Sequence, residues 1–82
     1  MKLNEAFAKR VKEILKQKKM TQYKLAQATG LYHSTLTDIL SCKYQTPNFK
    51  NISLIIRELG MSYCEFFDSE LFDFETLEIP EK

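Results

Sequence analysis

The sequence is poor in the residues that build metal sites and disulfide frameworks. Its 82 residues include one histidine and two cysteines, Cys42 and Cys64, which form no CxxC pair. Zinc needs about four ligands at a defined spacing, so no metal site is expected. Two distant cysteines in a chain expected to be cytoplasmic are typical of ordinary thiols rather than of a disulfide.

Long apolar runs and catalytic motifs are also absent. No run of about 18 apolar residues is present, which excludes a transmembrane helix. The first residues, MKLNEAFAKR, lack the apolar centre of a signal peptide, so we expect a cytoplasmic protein. There is no Gly-rich phosphate loop and no recognised pair of nucleophile and base, so neither catalysis nor a cofactor is expected. The composition, 44% hydrophobic with two glycines and two prolines, suits one small helical domain.

Charge is distributed unevenly along the chain. Residues 1–50 contain ten Lys or Arg against three Asp or Glu, whereas residues 51–82 contain two against eight. The basic part favours a polyanionic partner, which the acidic part would repel. A solvated lysine-rich helix without a partner has the same composition, so charge alone leaves both interpretations open.

Apolar periodicity predicts two helices in the first part of the chain. Helix one covers residues 3–18, with Asn4 or the residues just before it as the expected N-cap. Thr21 supplies an N-cap hydroxyl for helix two, from Gln22 to about Thr29. Gly30 ends this helix, because glycine adopts the left-handed conformation at the lowest cost.

Two further helices are predicted on either side of a proline-containing loop. Helix three runs from about His33 to Ser41, with no good side-chain cap at its start. After Pro47, Asn48 caps helix four, from about Phe49 to Leu59, with Phe49 in its apolar face.

The end of the chain carries a fifth helix and an acidic extension. Ser62 and Glu65 have the spacing of a capping box for a helix from Tyr63 to about Phe67. We therefore divide the chain into a domain of residues 1–67 and an acidic, aromatic tail of residues 68–82. The tail is too apolar to be purely solvated. It is expected to remain an acidic tail partly tethered by Leu71 and Phe72, to fold back on the helices, to form a sixth helix or to pair with a second subunit.

The stretch TQYKLAQATGLYHSTLTDILSCK, residues 21–43, places two short helices around a tight turn. In this spacing it resembles the Cro-and-repressor (XRE) family of helix-turn-helix DNA-binding proteins, over roughly residues 5–67. The resemblance implies a compact all-α, five-helix, phage-repressor-like domain with its helix-turn-helix at helices two and three. The matching positions are Gln22, Ala26, Gly30, Leu36 and Ile39.

The resemblance also implies a set of DNA-contacting residues. Helix three is expected in the major groove of double-stranded DNA, with nearby loops and helix N-termini on the phosphates. Arg10 is included because Leu40 replaces the family's usual acidic partner for it, which leaves Arg10 for a phosphate, for Glu13 or for the tail. The expected base-reading residues are His33, Ser34, Thr37 and Asp38. The expected phosphate-contacting residues are Gln22, Tyr32, Lys43, Tyr44 and Arg10.

The chemistry of helix three supports base reading only in part. His33 can donate to guanine, and the Thr37 methyl group can contact a thymine methyl. Asp38 can accept from cytosine but repels phosphates, so its alternative role is to orient His33 or to bind Tyr44 or Lys43. No Arg, Gln or Asn is available on this face for bidentate contacts.

Two departures from the family concern the backbone. Lys19 and Cys42 stand where the family often has glycine, at the ends of helices one and three. We therefore expect a positive φ at both residues, at a cost of about 1 kcal/mol each.

The sequence predicts a sequence-specific DNA-binding transcriptional regulator, expected to be a repressor that binds a palindromic operator as a homodimer. The alternative is an antitoxin-like or other protein-interaction module, in which residues 68–82 bind a protein partner and DNA binding is secondary.

Overall fold

The computed structural model describes residues 1–81, and this part of the chain is all-helical. The predicted fold of five helices is confirmed, and each helix ends within one residue of its predicted bound. No helix in the described residues is long and apolar enough to cross a membrane. The helices are α1 (Leu3–Lys18), α2 (Gln22–Thr29), α3 (His33–Leu40), α4 (Phe49–Glu58) and α5 (Tyr63–Phe67).

One hydrophobic core joins all five helices. α1 packs against α3, and α2 packs against both α3 and α4. Removing each large apolar side chain from water contributes about 1.5–3 kcal/mol, so these contacts hold α3 more firmly than its own helix propensity. The largest fully buried side chains are Val11, Ile14, Leu25, Leu36, Ile55, Ile56, Leu59 and Phe66.

Three of the predicted N-caps are present. The Thr21 hydroxyl and the Asn48 amide oxygen each accept a hydrogen bond from the backbone N–H three residues later, at 3.1 and 2.8 Å. At α5, Ser62 and Glu65 form the predicted capping box, with hydrogen bonds of 3.1 and 3.0 Å. The hydrogen bonds from the backbone N–H and then the hydroxyl of Ser62 lower the pKa of Glu65.

Of two local predictions, one is met and one was wrong. The N-cap of α1 is Lys2, one of the residues just before Asn4 that the sequence also allowed, and the Glu5 carboxylate accepts from the Lys2 N–H at 2.8 Å. Phe49 is 72% exposed, although it was assigned to the apolar face of α4. It is the first residue of α4 and extends past the core, where its ring lies 6.1 Å from that of Tyr63.

The expected left-handed residues are present at both positions. Lys19 has φ 54° and Cys42 has φ 63°, close to the values of Gly30 and Gly60. After α3, the Cys42 N–H donates to the Ile39 carbonyl at 3.2 Å. The next N–H, of Lys43, donates to the Asp38 carbonyl at 3.0 Å. These two hydrogen bonds form a Schellman motif, which closes the end of α3 and sets the direction of the following loop.

The C-terminal segment folds back onto α1. Its 3-10 turn (Glu70–Phe72) packs against α1, and Glu78 forms an isolated parallel bridge with Lys2. The Phe72 ring lies 4.9 Å from Phe67 and 6.1 Å from the buried Phe66. The C-terminal segment therefore folds back on the helices, while its pairing with a second subunit and the domain boundary at residue 67 stay predictions.

Candidate nucleic-acid interface

The outer face of α3 presents a row of polar side chains. His33, Ser34 and Thr37 are exposed, and Asp38 is half-buried. Residues three and four apart share a helix face, so these side chains lie together on one side of α3. On the opposite side Leu36, Ile39 and Leu40 are buried in the core. The polar face is thus held in a fixed orientation by the apolar one.

Two predicted phosphate-contacting residues flank this face. Gln22 is half-buried at the first position of α2, where the helix dipole favours an anion. Tyr32 directly precedes α3 and is 82% exposed. The Tyr32 carbonyl accepts from the Leu36 N–H at 3.1 Å, but its side chain makes no capping hydrogen bond at the start of α3. Its hydroxyl is accordingly available at the edge of the polar face.

Asp38 links α3 to the following loop. Its Oδ2 lies 3.6 Å from the Lys43 ammonium and 3.5 Å from the Tyr44 hydroxyl. Both distances are long, and an ion pair with a largely exposed lysine contributes at most about 1 kcal/mol, so a phosphate can replace Asp38 as the partner of Lys43 or Tyr44. Of the alternative roles predicted for Asp38, the structure shows contact with Lys43 and Tyr44.

His33 has a different neighbour, which the sequence analysis missed. The Tyr23 ring lies 6.1 Å from the His33 imidazole, at an angle of 51°. Gln27 donates its amide N–H to the Tyr23 hydroxyl at 3.2 Å. The available signal was the spacing of Tyr23 and Gln27, four residues apart on the exposed side of α2. Tyr23 therefore extends the polar face from α3 onto α2.

The chain matches a known protein family. The sequence profile described as Cro/C1-type HTH DNA-binding domain matches residues 10–75, well over half of the chain. The chain belongs to this family. Searches among curated proteins and among solved structures gave no match. The predicted XRE-type resemblance is confirmed, and the helix-turn-helix of this Cro/C1-type domain is a DNA-binding element.

Arg10 differs in its bonding from the other predicted phosphate-contacting residues of the Cro/C1-type domain. Its Nε donates to the Phe66 carbonyl at 2.7 Å, and one Nη donates to the Glu65 carbonyl at 2.9 Å. The guanidinium also lies 5.9 Å from the centre of the Phe66 ring. These contacts bind α1 to the C-terminal carbonyls of α5, which otherwise lack helical partners. Arg10 therefore holds α1 to α5, and its contact with a phosphate stays a prediction.

The described residues of the Cro/C1-type domain contain no candidate metal site. No group of three or more His, Cys, Asp or Glu side chains within residues 1–81 could hold a metal ion. Cys42 is half-buried, Cys64 is exposed, and both are free thiols.

Proposed function

We propose that this Cro/C1-type domain is a sequence-specific transcriptional regulator that inserts α3 into the major groove. The observation that carries the proposal is the division of α3 into a buried apolar side and an exposed polar side. A short helix held rigidly with polar side chains outward has the shape and chemistry needed to reach base edges. The proposed base-reading residues are His33, Ser34, Thr37 and Asp38.

The phosphate contacts come from residues around this face. The proposed set is Gln22, Tyr32, Lys43 and Tyr44. Lys43 carries a full positive charge, and its internal partner Asp38 is held only at 3.6 Å. On binding, the ammonium exchanges that carboxylate for a phosphate, and the released counterion makes the affinity salt-dependent.

A single copy of such a small domain makes few contacts with DNA. We propose that two copies bind a palindrome as a homodimer, with half-sites about 34 Å apart, so that one copy binding raises the effective concentration of the other. A cytoplasmic repressor needs only to occupy its operator, since occupancy blocks other proteins from the same DNA. Repression is thus the simplest activity for a domain with one DNA-binding face, and no enzymatic step is required.

The test is in vitro selection of bound sequences from random duplexes, with the molecular mass measured by light scattering in the same buffer. We expect the selection to enrich a palindromic sequence. The measured mass of the complex should correspond to two protein chains on one duplex. His33→Ala should change the selected bases, because His33 lies on the reading face. Lys43→Ala should weaken selected and random duplexes alike and reduce the slope of log affinity against log salt by about 0.9.

Two results would count against this function. Absence of binding to any duplex at low salt would refute DNA binding itself. An unchanged selected motif for His33→Ala would refute the proposed reading face while leaving DNA binding intact.

The second candidate function is an antitoxin-like protein-interaction module. The observation that favours it is the exposure of Phe74 (79%) and Ile79 (49%) among the acidic residues of the C-terminal segment. Exposed apolar groups surrounded by carboxylates suit a basic protein partner. Purification of the wild-type chain from its host should then give a stoichiometric complex, and Phe74→Ser with Ile79→Ser should abolish it. A homodimer without other chains in the wild type would speak against this candidate.

A further inference from the structure

Asn4 joins the first turn of α1 to the loop after α3. Its side-chain Nδ2 donates a hydrogen bond of 2.8 Å to the backbone carbonyl of Tyr44, forty residues later in the chain. The distance is short for a neutral N–H···O bond, whose usual range is about 2.7–3.2 Å. A rigid helix is thus bonded directly to the loop that carries Lys43 and Tyr44.

This bond is not needed to begin α1. Glu5 accepts from the Lys2 N–H at 2.8 Å, and the Leu3 N–H donates to the Glu78 carbonyl at 3.0 Å. The Ala6 N–H makes a regular i→i−4 helix bond to the carbonyl of the N-cap residue Lys2, at 2.9 Å. A helix N-terminus needs hydrogen-bond acceptors, so the Asn4 Nδ2, which is a donor, has no capping role and bonds to the Tyr44 carbonyl of the loop.

Bonds to α3 already restrain the start of this loop. Its first two N–H groups, of Cys42 and Lys43, are bonded to α3 carbonyls. The side chains of Lys43 and Tyr44 contact Asp38 only at 3.6 and 3.5 Å. The short bond from Asn4 extends this restraint to the Tyr44 carbonyl and ties it to α1.

We propose that Asn4 is a positioning residue for DNA binding. By holding the Tyr44 carbonyl, it fixes the loop so that the Lys43 ammonium is already placed for a phosphate when DNA arrives. A loop ordered in advance loses less conformational freedom on binding, which increases affinity without any contact from Asn4 itself. This inference rests on the proposed DNA-binding function and adds a residue that makes no contact with DNA.

The test compares wild type and Asn4→Leu, which has a similar volume and no donor, on a fluorescent duplex carrying the selected sequence. One neutral hydrogen bond corresponds to about a five-fold change in affinity, so a loss of about five-fold is expected. Asn4→Asp, which also lacks the donor, is the second variant, and circular dichroism verifies that each variant is folded. Gln17→Leu, at an exposed site on the same helix, is the matched control and should bind like wild type.

A double-mutant cycle distinguishes positioning from a general effect on structure. In the Lys43→Ala background, Asn4→Leu should cause little further loss, because the group that it positions is gone. In the His33→Ala background it should still cause about a five-fold loss. The same loss in both backgrounds would overturn the proposal, as would unfolding of both Asn4 variants.

The two levels of inference fail in different ways. If the wild type binds no duplex, the proposed function fails. If the wild type binds the selected duplex and both Asn4 variants bind it equally well, only the positioning role of Asn4 is refuted.

Discussion

The Lys43 ammonium lies 3.6 Å from Oδ2 of Asp38, and the Tyr44 hydroxyl approaches the same oxygen at 3.5 Å. An acid on the proposed reading helix therefore neutralises the cation that is proposed to contact phosphate. Asp38 limits DNA binding in two ways, because it repels phosphates and competes with them for Lys43. Substitutions of Asp38 and Lys43 can therefore separate attraction to the DNA phosphates from recognition of the bases.

Asp38→Asn should strengthen binding to random duplexes. Removing the carboxylate frees Lys43 and removes a repulsion, which together are expected to raise the affinity by about five-fold at low salt. Fluorescence anisotropy on random and selected duplexes measures the effect, with Lys43→Ala as the opposing control. A lower affinity for the selected duplex alone would instead identify Asp38 as a base contact.

Phe72→Ala should destabilise the fold although it lies outside the predicted domain of residues 1–67. Its half-buried ring contacts Phe66 and Phe67, so the free energy of unfolding should fall by about 2–3 kcal/mol. Phe74→Ala, at a ring that is 79% exposed, is the matched control and should change it by less than about 0.5 kcal/mol. Urea unfolding followed by circular dichroism compares the two. Equal stabilities would show that the C-terminal segment does not stabilise the domain.

Lys19→Gly should stabilise the protein. Lys19 is exposed and has φ 54°, a conformation that costs a residue with a Cβ about 1 kcal/mol relative to glycine. The free energy of unfolding should therefore rise by about 1 kcal/mol. Gln17→Gly, two residues earlier inside α1, should lower it by about the same amount, because glycine is unfavourable within a helix. A loss of stability in Lys19→Gly would contradict the conformational argument.

The capping box of α5 should make stability depend on pH. Hydrogen bonds from Ser62 lower the pKa of Glu65 from its ordinary value of 4.5. The charged form is favoured in the folded state, so its contribution is present above pH 4.5 and is lost as the pH falls through the lowered pKa. Urea unfolding at several pH values should show Glu65→Gln less stable than wild type at neutral pH, with a difference that shrinks in acid. A difference that is constant across this range would exclude the cap as its source.

Local patterns in the sequence were sufficient for the helices and their ends. Thr21, Asn48 and Ser62 each accept from a backbone N–H three residues later, and Lys19 and Cys42 have positive φ. The caps depend on residues within one turn of each other, so sequence spacing predicts them, whereas the positive φ values were expected from the resemblance to the family. Phe49 shows the limit of this reasoning, because periodicity gives the face of a helix but not where the core ends.

The contacts that organise the candidate site were decided by tertiary structure. Asn4 contacts Tyr44, Arg10 contacts the carbonyls of Glu65 and Phe66, and Tyr23 faces His33. The partners in these pairs are 10 to 56 residues apart, and several donors could have reached other acceptors. The sequence by itself determined five helices, their caps and a helix-turn-helix with a polar outer face, since these follow from local spacing. Only the packing of α1 against α3 and α5 decided which side chains hold that face and its loop, because the distances between helices are set by the whole core.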